Sequence, residues 1–125
     1  MIQTLGQVAL GGAIGASARY LTAVAALRLF GPGFPWATLI VNVVGSFLMG
    51  VLVVALGHLS ANRFAPLLMT GLLGGFTTFS AFSLDAVTMW ERGDSVPAAA
   101  YVLASVIVSL AALLAGLTFA RSLTA

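Results

Sequence analysis

Cysteine is absent from the 125 residues, which excludes a disulfide framework and any thiolate-ligated metal site. Histidine occurs once, so a zinc centre of the usual catalytic kind has too few ligands. Charge is equally scarce: Asp, Glu, Lys and Arg together make up 6% of the chain. A water-soluble domain of this size needs a far more polar shell. The positive charge consists of five arginines, and the net charge of +2 is too sparse for a nucleic-acid footprint. The sequence pI near 10.0 reflects small-number arithmetic. No nucleophile, base and orienting group converge, so the chain is not expected to be an enzyme. What remains is apolar: 61% of residues are hydrophobic and the mean hydropathy is +1.14, the composition of an integral membrane protein.

The apolar residues fall into four segments, 2–29, 36–56, 67–90 and 98–120. Each is near the roughly 20 residues that a helix needs to cross the hydrocarbon slab. The connections Gly31 to Pro35, Gly57 to Arg63 and Glu91 to Pro97 have the composition of short turns. These segments predict a single four-helix transmembrane domain over 1–125. The first segment lacks a basic n-region and is too long for a signal-peptide core, so it is expected to stay in the mature protein. Trp36 and Trp90 fall at predicted helix ends, where an indole suits the headgroup level.

Four spans put Arg63 and Arg121 on one side of the membrane and Arg28 and Arg92 on the other. Orientation normally follows an excess of Lys and Arg in the cytoplasmic loops, and here the count is tied. Two readings fit: a partner or the free amine decides orientation, or copies insert both ways and pair antiparallel. Four short helices do not readily enclose an ion path, so both readings imply an oligomer.

Arg19 stands about 15 Å, by helical rise, from the end of the first segment. An ionised group at such depth usually faces the bundle interior or a water-filled cavity, unless it snorkels to an interface. Gly11, Gly12, Gly15 and Ala16 on the same segment form a small-residue face for close helix packing. The second segment places Thr38, Asn42 and Ser46 on one helical face, and the fourth places Tyr101, Ser105 and Ser109 likewise. Such stripes either hydrogen-bond neighbouring helices or line a hydrated path. A mid-membrane Asn can also offer amide hydrogens to an anion.

The third segment contains Gly71-Leu72-Leu73-Gly74-Gly75-Phe76-Thr77-Thr78-Phe79-Ser80-Ala81-Phe82-Ser83-Leu84-Asp85. Paired glycines followed by paired threonines near the middle of an apolar helix predict a break, which a membrane tolerates only when buried or lining a cavity. A break frees carbonyls that can coordinate a small hard cation such as Na⁺. A Gly-rich packing kink is the simpler alternative. Phe79 and Phe82 share a helix face, and an aromatic ring carries positive charge at its edge, where a small anion can rest. Aromatic rings in membranes more commonly face lipid or pack the core. Asp85 is a further costly ionisable group, with pairing to Arg19 and capping of the broken helix as its two candidate roles.

The run Gly74-Gly75-Phe76-Thr77-Thr78-Phe79-Ser80-Ala81-Phe82-Ser83 resembles the signature of the small fluoride channels called Fluc or CrcB. The likeness extends over the chain: its length, four spans, the Gly-rich first helix with Arg19, Thr38 and Asn42 after Trp36, and Tyr101, Ser105 and Ser109. The resemblance implies an all-α membrane protein whose third helix is broken mid-membrane. It implies an antiparallel, dual-topology homodimer with two pores in the bacterial inner membrane, exporting fluoride passively. Phe79 and Phe82 would form the ring-edge box and Asn42 a polar fluoride contact. Thr38, Ser80, Tyr101, Ser105 and Ser109 would lie along the path. The carbonyls of Gly74 and Thr77 from both subunits would hold a structural Na⁺, and Arg19 would sit near the aqueous vestibule. Two positions depart from the family pattern: Ala81 stands where relatives often have threonine, leaving Ser80 alone on that polar track, and Asp85 replaces an expected glutamate.

Two other classes compete. A small proton-coupled multidrug transporter also has four helices and inserts both ways, but wants an acid deep in its first helix, which here carries Arg19 and no acid. A non-transporting membrane subunit would use the Gly and Ser faces for assembly alone.

Overall fold

The computed structural model describes all residues, 1–125, and is entirely helical. α1 spans Ile2–Phe30 and α2 spans Trp36–His58. The third segment is composite: a π-helical stretch, Pro66–Leu73, leads into one α-helical turn, α3 (Gly74–Phe76). After Thr77 and Thr78 the chain resumes as α4 (Phe79–Glu91), and α5 covers Ser95–Thr124. Four stretches are long and apolar enough to cross a membrane: Ile2–Phe30, Trp36–His58, Asn62–Glu91 and Ser95–Thr124. Exposed Leu, Ile, Val and Phe side chains occur on all of them, as expected where the solvent is lipid.

α5 begins at Ser95, ahead of the Ala98 that hydropathy suggests, because Pro97 falls within its first turn. A proline there forfeits no helical hydrogen bond, since the first N–H groups have no intrahelical acceptor, and its fixed φ already suits a helix. Hydropathy marks where apolar residues begin, whereas the helix begins at the polar turn before them.

Lipid offers helices no hydrophobic drive to associate, so packing depends on close van der Waals approach. α2 and α5 make the most extensive helix pair. They cross where Gly50 meets the Leu113 carbonyl and Gly116 meets the Phe47 carbonyl, with no room for a Cβ at either point. α1 lies against the π-helical stretch in the same manner, Gly11 and Gly15 admitting the carbonyls of Leu67 and Leu72. The small-residue face of α1 is thus a packing surface. Gly116→Leu should force α5 away from α2 and cost about 3 kcal/mol or more. Thermal unfolding in detergent should show that loss, and an unchanged midpoint would mean that the crossing can slide apart cheaply.

A small aromatic cluster closes one end of the bundle, where Phe82, Met89, Ala98 and Tyr101 are buried together. Phe34, from the first loop, packs edge-on to Tyr101 with centroids 5.5 Å apart. Arg92 reaches the same loop, donating to the Gly33 carbonyl at 3.3 Å and pairing with Asp94 at 2.8 Å. That ion pair is half exposed and so contributes little by itself.

Candidate functional site: a cavity beside an interrupted helix

Helical hydrogen bonding stops at Thr77 and Thr78, both extended (ψ 160° and 121°). The interruption is well satisfied on one side. Thr77 turns back, its N–H and its hydroxyl each donating to the Leu73 carbonyl at 2.9 Å. Thr78 Oγ1 accepts from the Ala81 N–H at 3.1 Å and so caps α4, the usual use of threonine at a helix start. Asn42 from α2 clamps Thr78 at two points: its Oδ1 accepts the Thr78 N–H at 2.8 Å and its Nδ2 donates to the Thr78 carbonyl at 3.0 Å. One Nδ2 hydrogen of Asn42 is left over.

Other backbone groups at the interruption remain unpaired. The α-helical donor for Gly74 O would be the Thr78 N–H, which is committed to Asn42; that for Thr77 O would be the Ala81 N–H, committed to Thr78 Oγ1. Neither carbonyl receives another hydrogen bond from the chain, and Gly74 is exposed although it lies within the third span. The N–H groups of Phe79 and Ser80, at the start of α4, likewise have no backbone acceptor. The interruption therefore shows carbonyl oxygens on one helix end and amide hydrogens on the other.

Beside it lies a cavity of about 400 Å³. Of the path residues expected from sequence, Asn42, Phe79, Phe82, Ser105 and Ser109 line it, together with Thr77. Phe79 and Phe82 stand with ring centroids 5.5 Å apart, and Phe82 also touches Tyr101 at 5.3 Å. Phe82 is buried whereas Phe79 is 77% exposed. The serines are distinctive. Ser17, Thr22, Ser83 and Thr118 each return their hydroxyl to the carbonyl four residues earlier. Ser105 Oγ and Ser109 Oγ are buried and make no hydrogen bond. A buried hydroxyl without a partner costs roughly 1–3 kcal/mol, so two such serines among the lining residues leave hydrogen-bonding capacity beside the cavity unused.

Thr38 and Tyr101 do not line the cavity; both hydroxyls donate to Asp85 Oδ2, at 2.7 Å and 3.1 Å. Asp85 thus neither pairs with Arg19 nor caps the interrupted helix, the two roles open to it from sequence. Its partners come from α2 and α5. Ser80 does not line the cavity either; its Oγ is 3.3 Å from Thr78 Oγ1. Arg19 lies elsewhere, half-buried, with Nε donating to the Gly75 carbonyl at 3.0 Å.

Gly45, one residue before Ser46 on α2, sets the shape of the site. A Cβ there would collide with the γ-methyl of Thr77. Gly45→Ala should push Thr77 and Thr78 off the Asn42 clamp at a cost of about 1–3 kcal/mol. A lowered unfolding midpoint checks this, and full wild-type stability would show that the threonine methyl swings aside.

Residues 7–117 match the family described as CrcB-like protein, Camphor Resistance (CrcB). The chain is 70% identical over 121 residues to a fluoride-specific ion channel FluC of Cereibacter sphaeroides, covering 97% of each. It is 55% identical over 125 residues to a fluoride-specific ion channel FluC of Paracoccus denitrificans, covering 100% of each. A protein of the same name in Mesorhizobium japonicum is 53% identical over 117 residues, 93% of this chain and 94% of that one. With four membrane-spanning helices, the interrupted third segment and identity of this extent along nearly its whole length, the chain belongs to the CrcB-like (FluC) family, a family of ion channels rather than enzymes.

Proposed function

We propose that the chain forms a fluoride-selective channel giving passive, electrogenic export of F⁻ across the bacterial cytoplasmic membrane. The observation that carries this reading is the single cavity lined by Asn42, Phe79, Phe82, Ser105 and Ser109, in which both serine hydroxyls lack a hydrogen-bond partner and Asn42 keeps a spare amide hydrogen. Fluoride holds its water strongly, so a pathway must replace that water with convergent weak donors. Hydroxyls, an amide hydrogen, ring edges and the free N–H groups at the start of α4 are donors of this kind. A cation would find no carboxylate on this wall. A narrow apolar path then disfavours chloride by size.

The functional unit is an antiparallel homodimer with two pores. The tied arginine count supports insertion in both directions, and the exposure of Phe79 beside an open cavity supports a second chain completing the wall. In that arrangement the interruption lies near mid-membrane. The unpaired carbonyls of Gly74 and Thr77 suit a hard cation, and two from each subunit would make an oxygen site for a structural Na⁺. The ion would supply positive charge between the carbonyl ends of the two broken helices. No observation favours a multidrug transporter: the first span holds no acid, and of the two acids in the third, Asp85 is engaged by Thr38 and Tyr101 and Glu91 stands at the span's end.

The test is fluoride efflux from liposomes containing the purified chain, followed with a fluoride electrode after a K⁺ ionophore relieves charge build-up, with chloride-loaded vesicles in parallel. Fluoride efflux without chloride efflux is expected. Equal efflux of both anions would remove the selectivity from the proposal, and a well-folded dimer without any efflux would remove the homomeric channel.

A further inference from the structure

The carbonyl groups around the interruption are disposed of in different ways, and one is held by a charge. Leu73 O is taken by Thr77 and Thr78 O by Asn42, while Gly74 O and Thr77 O are unpaired. Gly75 O accepts from the guanidinium of Arg19, reaching across from α1 at 3.0 Å. The mount for this arm is rigid. A Cβ on Gly75 would lie 2.7 Å from Gly12 O and 3.1 Å from Ala16 N, so the α3 turn rests on the α1 backbone itself. Gly12, Ala16 and Arg19 are spaced four and three residues apart and so share the helix face that meets α3. Arg19 extends from that face over the carbonyl end of α3, where a cation also complements the helix dipole.

We infer that Arg19 is a positioning residue for the interruption: its Nε–H holds the Gly75 carbonyl and thereby fixes the directions of the neighbouring Gly74 and Thr77 carbonyls and of Thr78 on the cavity wall. This is a different task from raising anion concentration at a vestibule, which any cation at this position would perform. It deepens the channel reading by adding a residue to the same site, and only its flux readout rests on that reading.

Side-chain geometry separates the two tasks. Nε is the fourth side-chain atom of arginine. Glutamine places an amide nitrogen at the same position without the charge, whereas lysine places a methylene there and keeps the charge one bond farther out. Arg19→Gln, Arg19→Lys and Arg19→Ala are therefore compared with the wild type in lipid vesicles by two measurements. The first is fluoride efflux. The second is the carbonyl ¹³C signal of Gly75, isolated by labelling glycine carbonyls with ¹³C and phenylalanine nitrogens with ¹⁵N. The sequence holds only two Gly–Phe bonds, so Gly33–Phe34 provides an internal control. Arg19→Gln should keep the Gly75 signal and most of the efflux, while Arg19→Lys and Arg19→Ala should shift the signal and slow efflux by about tenfold, the scale of one lost charge-assisted hydrogen bond. Efflux that follows charge, with lysine matching wild type and glutamine matching alanine, would overturn the inference. So would a Gly75 signal that is the same in all four proteins. If the alanine variant does not fold, the glutamine and lysine pair still decides. If the wild type itself shows no efflux, the channel reading fails and the Gly75 signal alone decides the role of Arg19.

Discussion

Phe82→Ile should slow fluoride efflux by about a hundredfold, equivalent to ~2.7 kcal/mol on the barrier to permeation. Phe82 is the buried member of the ring pair on the cavity wall, between Phe79 at 5.5 Å and Tyr101 at 5.3 Å. Isoleucine occupies much of the same space but has no ring edge, so the change removes the ring's positively polarised hydrogens from a residue lining the cavity without emptying the site. The loss of stability should be much smaller, about 1–2 kcal/mol, because the bundle is held chiefly by the backbone approaches of α1 to the π-helical stretch and of α2 to α5. Phe34→Ile is the matched control: Phe34 also touches Tyr101 but does not line the cavity, and its variant should conduct like the wild type. Wild-type efflux in Phe82→Ile, with the protein folded, would take the ring edge of Phe82 out of the proposed mechanism.

Asn42→Asp should abolish efflux and also weaken the fold, because Asn42 has two tasks. Its amide clamps both backbone groups of Thr78, and an ionised aspartate can accept from the Thr78 N–H but cannot donate to the Thr78 carbonyl. Oxygen would then face oxygen where a donor is needed, at a cost of about 1–3 kcal/mol for the unpaired group. The new negative charge on the cavity wall would repel an anion 4 Å away by an amount between about 1 kcal/mol in bulk water and about 4 kcal/mol at an effective dielectric constant of 20. Asn42→Ala separates the two effects, since it breaks the clamp without adding charge. Efflux should be lower in Asn42→Asp than in Asn42→Ala, while both unfold at lower temperature than the wild type. Equal efflux in the two would show that a negative charge at this position does not act on the permeating ion.

Several parts of the site were legible from local sequence. The paired glycines and threonines at 74–78 announced an interruption, and Thr77 and Thr78 are where helical bonding stops. The faces of α2 and α5 were legible as well, since a residue's face on a helix follows from its spacing; Asn42, Ser105 and Ser109 do meet at one cavity. Spacing could not show how a polar stripe divides its duties. On α5, Tyr101 turns to Asp85 whereas Ser105 and Ser109 are left without partners, and on α2 Asn42 is mostly occupied with Thr78. The tightest contact at Gly45 lies 32 positions away along the chain at Thr77, and nothing in the local pattern marks it. The π-helical winding of Pro66–Leu73 was equally invisible, because an apolar run reads the same whether its turns are of α or π width.

The sequence by itself determined that this is a four-span, all-helical membrane protein with an interrupted third segment, because transfer of a segment into lipid is a nearly additive property of the residues within it and helix-breaking is a property of neighbours. It also determined the family, through residues spread along the whole chain. Only the tertiary structure decided which polar groups satisfy one another: Asp85 with Thr38 and Tyr101 rather than Arg19, Arg19 with the Gly75 carbonyl, Asn42 with Thr78. Each of these pairs joins groups 16 to 56 positions apart. In a membrane nearly every span carries a few donors and acceptors that must be matched, and the choice among chemically equivalent partners is made by how closely glycine faces allow the helices to approach.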